Sequence, residues 1–329
     1  MLRFIIKRIL WMIPVMLGVL IIVFSITYLT PGDPIKTMLG SGYTPERYAM
    51  KQAEYGLDKG YLAQLGSYIW NLVTKLDMGK SFSSNIRVSK EISERIGTTL
   101  QIGVYSVLVM VIIGVPLGII SATKQYSLID TGLTSFALII SAIPCFVLAP
   151  LCLVLFGVKL KWLPISGISS FKSWILPIGT NALSGIALIM RMTRTSMLVV
   201  IRQDYIRTAR AKGLKERVSI RKHALKNALI PVVTVTGQVM AMLMSGAVII
   251  ETIFSIPGIG MYMLGGITGR DYPVINGSVI LVSFIVCAMN LIVDLLYAVI
   301  DPRIKAEYVA KDKKRKLQKM IRKEEKAGV

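Results

Sequence analysis

Few residues of this 329-residue chain have the types and spacing that catalysis or metal binding requires. Residues 77–81 read DMGKS, which is similar to the end of a phosphate-binding loop. That loop needs a glycine five residues before Gly79, and this chain has Thr74 there. His223 is the only histidine, and neither HExxH nor GxSxG occurs, so neither a metalloprotease nor a serine hydrolase is indicated. We expect no catalytic residue, no metal site and no cofactor bound by this chain.

Two carboxylates, Glu251 and Asp294, lie within or beside long apolar runs. An ionisable side chain at membrane depth is a functional candidate by default, because an unpaired charge there is costly. One interpretation is proton coupling. The other, which we favour, is structural: Glu251 lies near a helix end, where it can pair, and Asp294 can hydrogen-bond a neighbouring helix or Arg303.

The most polar stretch between two apolar runs is residues 204–226, DYIRTARAKGLKERVSIRKHALK. It cannot lie in hydrocarbon, because each Arg or Lys at the bilayer centre costs about 2.5–3.5 kcal/mol. Its pattern predicts a short helix, a tight stop and a second helix. Ile206, Ala209 and Lys212 share one face of the first helix, and Gly213 supplies the left-handed stop.

The composition excludes an ordinary soluble domain, because 53% of the residues are hydrophobic and the mean hydropathy is +0.62. The net charge of +21 would suggest nucleic acid in a soluble protein. Here the basic residues lie beside apolar runs, so membrane topology and anionic lipid explain them better, and we expect no nucleic-acid partner. The three cysteines fall inside apolar runs and are interpreted as small buried hydrophobes.

Six apolar runs are long enough to cross a hydrocarbon core of about 30 Å. They lie near residues 9–29, 100–122, 133–155, 175–192, 229–250 and 279–300. The first exceeds a signal-peptide core and has no small-residue cleavage site after it, so we expect a retained span. Lys and Arg concentrate at residues 1–8, 191–228 and 301–329. By the positive-inside rule both termini are expected in the cytosol.

Residues 35–99 are polar and predict a small helical layer on the outer face of the membrane. Thr44-Pro45-Glu46 is typical of a helix start, with a capping hydroxyl, proline at the first position and an early acid. Apolar residues then recur at helical spacing, at Leu62, Leu65, Ile69, Leu72 and Leu76. The predicted organisation is a first span and turn (1–34), an extracytoplasmic helical segment (35–99), a five-span core (100–300) with a cytosolic loop (195–228), and a basic cytosolic tail (301–329).

Residues 204–231, which begin DYIRTARAKGL and end HALKNALIP, resemble the coupling loop of the dipeptide/oligopeptide/nickel branch of bacterial ABC importer permeases. In the general form of that loop Glu-Ala-Ala stands where this chain has Arg207, Thr208 and Ala209, whereas Gly213 matches. Other stretches resemble the same branch in the expected order: MLRFIIKRIL, IPVMLGV and PGDP at the start, then ETIFSIPGIG, RDYP, NLIVD and DPR. The PGDP start is similar to the OppB/DppB-type subunit rather than to its OppC/DppC-type partner.

The resemblance implies an all-α polytopic membrane protein with about six transmembrane helices and a type I ABC importer permease fold. It implies a multi-pass protein of the bacterial cell membrane that carries peptides. The implied partners are a second, OppC/DppC-type permease subunit, two ABC ATPase subunits that use ATP and Mg²⁺, an extracytoplasmic substrate-binding protein and the lipid bilayer.

The same resemblance, together with the charge and helix pattern described above, predicts two sets of site residues. The ATPase-coupling set is Asp204, Tyr205, Arg207, Thr208, Ala209, Arg210, Ala211, Lys212, Gly213 and His223. The set expected at the pathway or at the binding-protein contact is Glu251, Pro257, Gly258, Gly260, Arg270, Asp271 and Asp294. Two other functions stay open from the sequence: a nickel or metal-chelate importer of the same architecture, and a channel or secondary transporter working alone. An intramembrane enzyme is the weakest, since no nucleophile–base pair is evident.

Overall fold

The structure, a computed structural model, describes residues 2–40 and 42–300, and the side chains of residues 2–4, 245, 246 and 296–300 are outside this description. The predicted basic tail 301–329 therefore lies outside the described residues. Within them the regular elements are helices, in chain order α1 (Leu2–Leu29), α2 (Pro34–Leu39), α3 (Pro45–Glu54), α4 (Tyr61–Lys75), α5 (Val88–Thr123), α6 (Leu128–Ala142), α7 (Cys145–Cys152), α8 (Phe171–Ile201), α9 (Asp204–Ala211), α10 (Glu216–Val218), α11 (Leu225–Ile253), α12 (Ile259–Thr268) and α13 (Tyr272–Ile300). Two π-helical segments, Leu153–Lys159 and Ser219–Ala224, extend α7 and precede α11.

Among the described residues, five helices are long and apolar enough to cross a membrane: α1, α5, α8, α11 and α13. A sixth span is formed if α6 and α7 count as one broken crossing. These elements cover all six predicted runs, which confirms an all-α polytopic fold. We call the end of the bundle that carries α9 the α9 side, and the opposite end the α12 side.

The run predicted over residues 133–155 is not one straight helix. It is divided into α6 and α7 with its π-helical extension, and the two parts are bent by 104°. The break falls at Ile143 and Pro144, where Ile143 is extended (φ −98°, ψ 119°). Proline lacks an N–H and disfavours helical geometry in the residue before it, so the helix ends there.

Helix α8 lies at the centre of the bundle, packed against α5, α6, α7 and α11. Close approach to α5 depends on glycine. A Cβ on Gly118 would lie 2.6 Å from the carbonyl oxygen of Met190, and one on Gly114 would lie 3.1 Å from that of Ile186. The Gly114–Gly118 spacing therefore does what small residues do in membrane helix packing, which is to let two backbones meet.

The segment 35–99, which the sequence predicted to be helical, contains α2, α3, α4 and the start of α5. Helix α3 begins at Pro45 with Thr44 as its cap, and the Arg47 N–H donates to the Thr44 hydroxyl at 3.3 Å. Helix α4 packs Leu65 against Leu20 and Phe24 of α1, with Ile69 and Leu72 beside it. The periodic run is only partly inward-facing, since Leu62 and Leu76 are 78% and 76% exposed.

A buried ion pair joins three spans at the α9 side. Arg194 of α8 donates to both carboxylate oxygens of Asp130 on α6, each at 2.7 Å. The Ser121 hydroxyl of α5 and the Tyr126 N–H donate to the same carboxylate. Asp130 is 3% exposed, so this bidentate pair with two further donors replaces the solvation that the carboxylate loses.

We predict that Asp130→Ala and Arg194→Ala each destabilise the folded chain by about 3–5 kcal/mol, because each leaves an uncompensated buried charge. The paired change Asp130→Leu with Arg194→Met removes both charges and should recover most of the loss. Unfolding of the purified chain in detergent, followed in a double-mutant cycle, measures the coupling. Strictly additive single and double effects would show that the pair does not hold the spans together.

Candidate functional site

Helix α9 is the element that the sequence predicted as the first half of the coupling loop. It spans Asp204–Ala211 and has the acid Asp204 in its first turn, where a negative charge is favoured by the helix dipole. Ile206 is 0% and Ala209 7% exposed, so one face of this otherwise polar helix is buried. Lys212, which the sequence placed on that face, is exposed instead and forms the C-cap.

The buried face of α9 is fixed to the spans. Ile206 belongs to an apolar cluster with Ala122 of α5, Met197 of α8, Ala224, and Ala228 of α11. The Asn227 amide of α11 also donates to the Tyr205 hydroxyl at 2.9 Å. Because three spans meet at Ile206, a displacement of α9 must be accompanied by movement or strain in those spans.

Gly213 ends the helix as predicted. Its φ is +78°, in the left-handed region that favours glycine, and its N–H donates to the Arg210 carbonyl at 2.9 Å. Beyond the turn, the Arg210 guanidinium donates to both oxygens of Glu216 at 2.9 and 2.6 Å, and this hydrogen bonding raises the pKa of Arg210. The turn thus holds α9 and α10 in one fixed arrangement.

The other face of α9 is exposed in the described part of the chain, apart from the contacts of Tyr205 with Asn227 and of Arg210 with Glu216. The predicted residues exposed there are Asp204, Tyr205, Arg207, Thr208, Arg210, Ala211 and Lys212. The Arg207 side chain is 75% exposed and lies 3.8 Å from Asp204. His223 lies apart from this face, half-buried in the π-helical turn before α11. The exposed face carries Tyr205, Arg207 and Arg210, and tyrosine and arginine are enriched at protein–protein interfaces.

Glu251 lies at the other end of α11 and is fully buried. The Thr99 hydroxyl of α5 donates to its Oε1 at 2.6 Å, and the Gly260 N–H donates to its Oε2 at 2.7 Å. Thr99 in turn accepts from the Ile259 N–H at 3.0 Å. The carboxylate therefore caps the first turn of α12, where unpaired N–H groups and the helix dipole favour a negative charge. This geometry favours the structural interpretation of Glu251 over proton coupling.

Two of the predicted glycines are required by that cap. A Cβ on Gly258 would overlap the Glu251 carboxylate, and one on Gly260 would overlap the backbone of Val248 in α11. Pro257, between Ile256 and Gly258, lines a small cavity beside α12. Glu251, Thr99 and the turn 254–260 together form one unit, which we call the α12 anchor.

Asp271 and Arg270 follow α12 and were predicted as contacts for a delivering protein. Asp271 is 2% exposed, and its carboxylate accepts from the hydroxyls of Ser81 and Ser83 at 2.6 and 3.1 Å. In this conformation it is therefore occupied within the chain, where it ties residues 81–83 to the start of α13. Arg270 is exposed, with its guanidinium against Gly32 of the turn after α1.

Asp294 of α13 pairs with Arg8 of α1, with 2.9 Å between the Arg8 guanidinium and the carboxylate. The sequence had offered Arg303 or a neighbouring helix as its partner, and Arg303 lies outside the described residues. The observed pair links the first and last spans at the α9 side. Charge neutralisation between helices explains a carboxylate here without a role in transport.

A cavity of about 590 Å³ lies between the segment 32–82, the end of α1 and the start of α13. Phe24, Tyr28 and Tyr272 line it together with the polar pair Asp33 and Tyr48. The Tyr48 hydroxyl donates to Asp33 at 2.7 Å, and this hydrogen bond raises the pKa of Tyr48. The volume falls in the range of small-molecule sites. Among the described residues, no group of three or more His, Cys, Asp or Glu is placed to hold a metal ion.

Three site residues escaped the sequence analysis: Thr99, Asp130 and Asn227. Each acts through a partner remote in sequence, such as Glu251 for Thr99 at a separation of 152 residues. A threonine or asparagine in a helix carries no local sign of such a partner. Asp130 had a weak sign, since it is an acid at the start of an apolar run.

We predict that Gly258→Ala destabilises the chain by about 1–3 kcal/mol, because the added methyl group displaces the Glu251 carboxylate from the α12 anchor. The matched control is Gly265→Ala in α12, where a Cβ meets nothing within 4 Å. Thermal unfolding in detergent compares the two. Equal stability of the two variants would contradict the anchor.

Comparison with known proteins matches two family models to this chain. The model "Binding-protein-dependent transport system inner membrane component" matches residues 114–306. The model for the amino-terminal part of such membrane components matches residues 1–103. Together the two models cover nearly the whole sequence.

Relatives align over almost their full length. A putative peptide transport system permease of Brucella abortus (strain 2308) is 40% identical over 309 residues, which cover 92% of this chain and 98% of the relative. The dipeptide transport system permease DppB of Alkalihalophilus pseudofirmus is 41% identical, covering 93% and 100%. DppB of Escherichia coli (strain K12) is 37% identical, covering 93% and 99%.

A solved structure supports the fold. The membrane chain matched in an inward-facing structure of the methionine ABC transporter MetNI superposes with a TM-score of 0.55 at 18% identity, covering 64% of this chain and 96% of that chain. Together with the family match and the relatives, the helical bundle and its short helix α9 assign the chain: it belongs to the family of binding-protein-dependent transport system inner membrane components, among the peptide and dipeptide permeases of bacterial ABC transporters.

Proposed function

We propose that this chain forms one membrane-spanning half of an ATP-driven importer of di- or oligopeptides. A second permease subunit of the OppC/DppC type forms the other half, and two ABC ATPase subunits hydrolyse ATP with Mg²⁺. An extracytoplasmic binding protein delivers the peptide. Both termini and α9 lie in the cytosol of a bacterial cell, and the α12 side faces outward.

The observation that carries this proposal is the two-faced character of α9. Its apolar face is buried against three spans, and its charged face is left to solvent. A helix that served only to connect two spans would need no such anchor. A helix that must receive a force from another subunit needs both a surface to be gripped and a rigid attachment to the parts that move.

The route of transmission follows the covalent chain. Only Arg202 and Gln203 separate α8 from α9, and the π-helical turn Ser219–Ala224 leads directly into α11. Helix α11 has 29 residues, so it extends roughly 43 Å to the α12 anchor on the far side. Closure of the ATPase subunits would displace α9, and α8 and α11 would carry that displacement across the membrane.

Peptide as the cargo is supported by the printed names of the relatives, which specify peptide or dipeptide transport. Their identity of 37–41% extends over the whole permease. In the same branch, nickel is the alternative cargo implied by the sequence. Uptake of a labelled dipeptide and of ⁶³Ni²⁺ by vesicles containing the complete complex discriminates the two.

We predict that Gly213→Val uncouples transport while the chain still inserts and assembles. Valine is strained at φ +78°, so α9 loses its stop although no atom obstructs the new side chain within 4 Å. In reconstituted vesicles, peptide uptake per ATP hydrolysed should fall at least fivefold. Gly213→Asn is the control, because asparagine tolerates this region and should keep most of the uptake. Full uptake by Gly213→Val would remove the assignment of α9 as the coupling helix.

A further inference from the structure

Helix α8 is the most buried of the candidate spans, because 56% of the residues in its 18-residue apolar stretch are buried. Between Leu176 and Leu198 only Leu188 and Thr195 are exposed. Arg191 lies between them at spacings of three and four residues, so the three side chains share one stripe of the helix. We call Leu188, Arg191 and Thr195 the open stripe. Over these residues it is the one face of α8 that the described part of the chain leaves exposed.

Arg191 carries a charge that nothing in the described part of the chain compensates. No carboxylate there lies within ion-pair distance of it, and its Nε is buried without a hydrogen-bond acceptor. The neighbouring Arg194 differs, because its guanidinium forms a bidentate ion pair with the Asp130 carboxylate. The two arginines are one turn apart, yet only one of them has its partner inside the chain.

The position of Arg191 within the long helix α8 argues against a lipid-facing role for the open stripe. It lies ten residues before the end of α8, roughly 15 Å along the helix axis. An intramembrane cation faces the interior of a bundle or a water-filled cavity, because contact with hydrocarbon is too costly. An exposed threonine in the next turn agrees with a wet surface.

We propose that the open stripe lines the aqueous pathway and that Arg191 binds the terminal carboxylate of the peptide in transit. This inference rests on the proposed function. The guanidinium is planar and permanently charged, and it matches a carboxylate with two parallel hydrogen bonds. A free peptide always presents one such group, whatever its side chains are, so a site of this kind suits a carrier of varied peptides.

The site also has a mechanical consequence. Because Arg191 is on α8, it is connected through Arg202 and Gln203 to α9. A force on α9 that moves or rotates α8 moves the open stripe with it. Arg191 can then contact the peptide carboxylate in one conformation and not in another, and release of the peptide requires such a difference in affinity.

The test uses the assembled complex in nanodiscs, with this chain carrying Cys145→Ala, Cys152→Ala and Cys287→Ala. Thr195→Cys is then labelled with a charged, membrane-impermeant thiol reagent. We expect reaction at position 195 but not with Ile139→Cys, a residue that is 60% exposed on α6 and that we expect to contact lipid, nor with Ile189→Cys, which is buried. Absence of labelling at 195 would mean that lipid or the second permease covers the stripe, and would overturn the proposal.

Protection then tests Arg191 itself. A millimolar dipeptide should slow labelling of Thr195→Cys at least threefold, and the same dipeptide with an amidated carboxyl terminus should not. Adding Arg191→Gln should abolish the protection, adding Arg191→Lys should keep part of it, and adding Lys172→Gln, an exposed base at the start of the same helix, should leave it intact. Equal protection by the amide, or protection that survives Arg191→Gln, would refute the carboxylate site.

Transport separates this inference from the proposed function. ATP-driven dipeptide uptake by the unmodified complex tests the function, and its absence would refute that first. With uptake established, Arg191→Gln should lower it about tenfold and Lys172→Gln should change it less than twofold. If Arg191→Gln reduces assembly, the test uses the chain that retains Arg191. There, protection of Thr195→Cys by the dipeptide but not by its amide supports the carboxylate site, and equal protection by both refutes it.

Discussion

The structure depends on the burial of one side chain, Ile206, where a short polar helix meets three spans. A helix of eight residues is too short to be stable alone, so tertiary packing must hold it. Ile206 is completely buried in a cluster with Met197, Ala122, Ala224 and Ala228, and the three small alanines let the helix approach closely. Everything proposed for α9 follows from this contact, because a loosely attached helix could bind a partner but could not transmit its movement.

Carboxylates within the bundle are stabilised by different interactions at its two ends. On the α9 side, charge is neutralised between spans by Arg194 with Asp130 and by Arg8 with Asp294. On the α12 side the Glu251 carboxylate is satisfied by a hydroxyl and by backbone N–H groups at a helix start. The first arrangement pairs opposite charges across neighbouring helices. The second joins α11, α5 and α12 into a single unit.

Much of the fold could be predicted from hydropathy and helix-start chemistry. The apolar runs, the start of α3 at Pro45 and the stop at Gly213 are local signals, and each is found where the sequence indicated. The 104° bend at Pro144 was not predicted, because proline determines where a helix breaks but packing determines the angle. The two π-helical segments have no recognised sequence signature and likewise could not be foreseen.

The site was predictable in its position but not in its contacts. Helix α8 continues to Ile201, nine residues past the predicted end of its apolar run, and this places Arg191 and Arg194 on a helix rather than in a loop. Hydropathy cannot foresee such an extension, because the helix is held there by Asp130 and by the packing of Met197. Asp271 shows a different limit of sequence reasoning. The sequence predicted that this carboxylate contacts another protein, but it is buried and accepts hydrogen bonds from Ser81 and Ser83.

If α9 couples ATP hydrolysis to transport, an ATPase subunit must contact the charged face of this helix. Site-specific photo-cross-linking from position 207 in the assembled complex tests it most directly, with position 267 on α12, 50% exposed at the opposite side, as the matched probe. We expect an adduct between position 207 and the ATPase subunit and none from position 267. An ATPase adduct from position 267, or none from position 207, would contradict it.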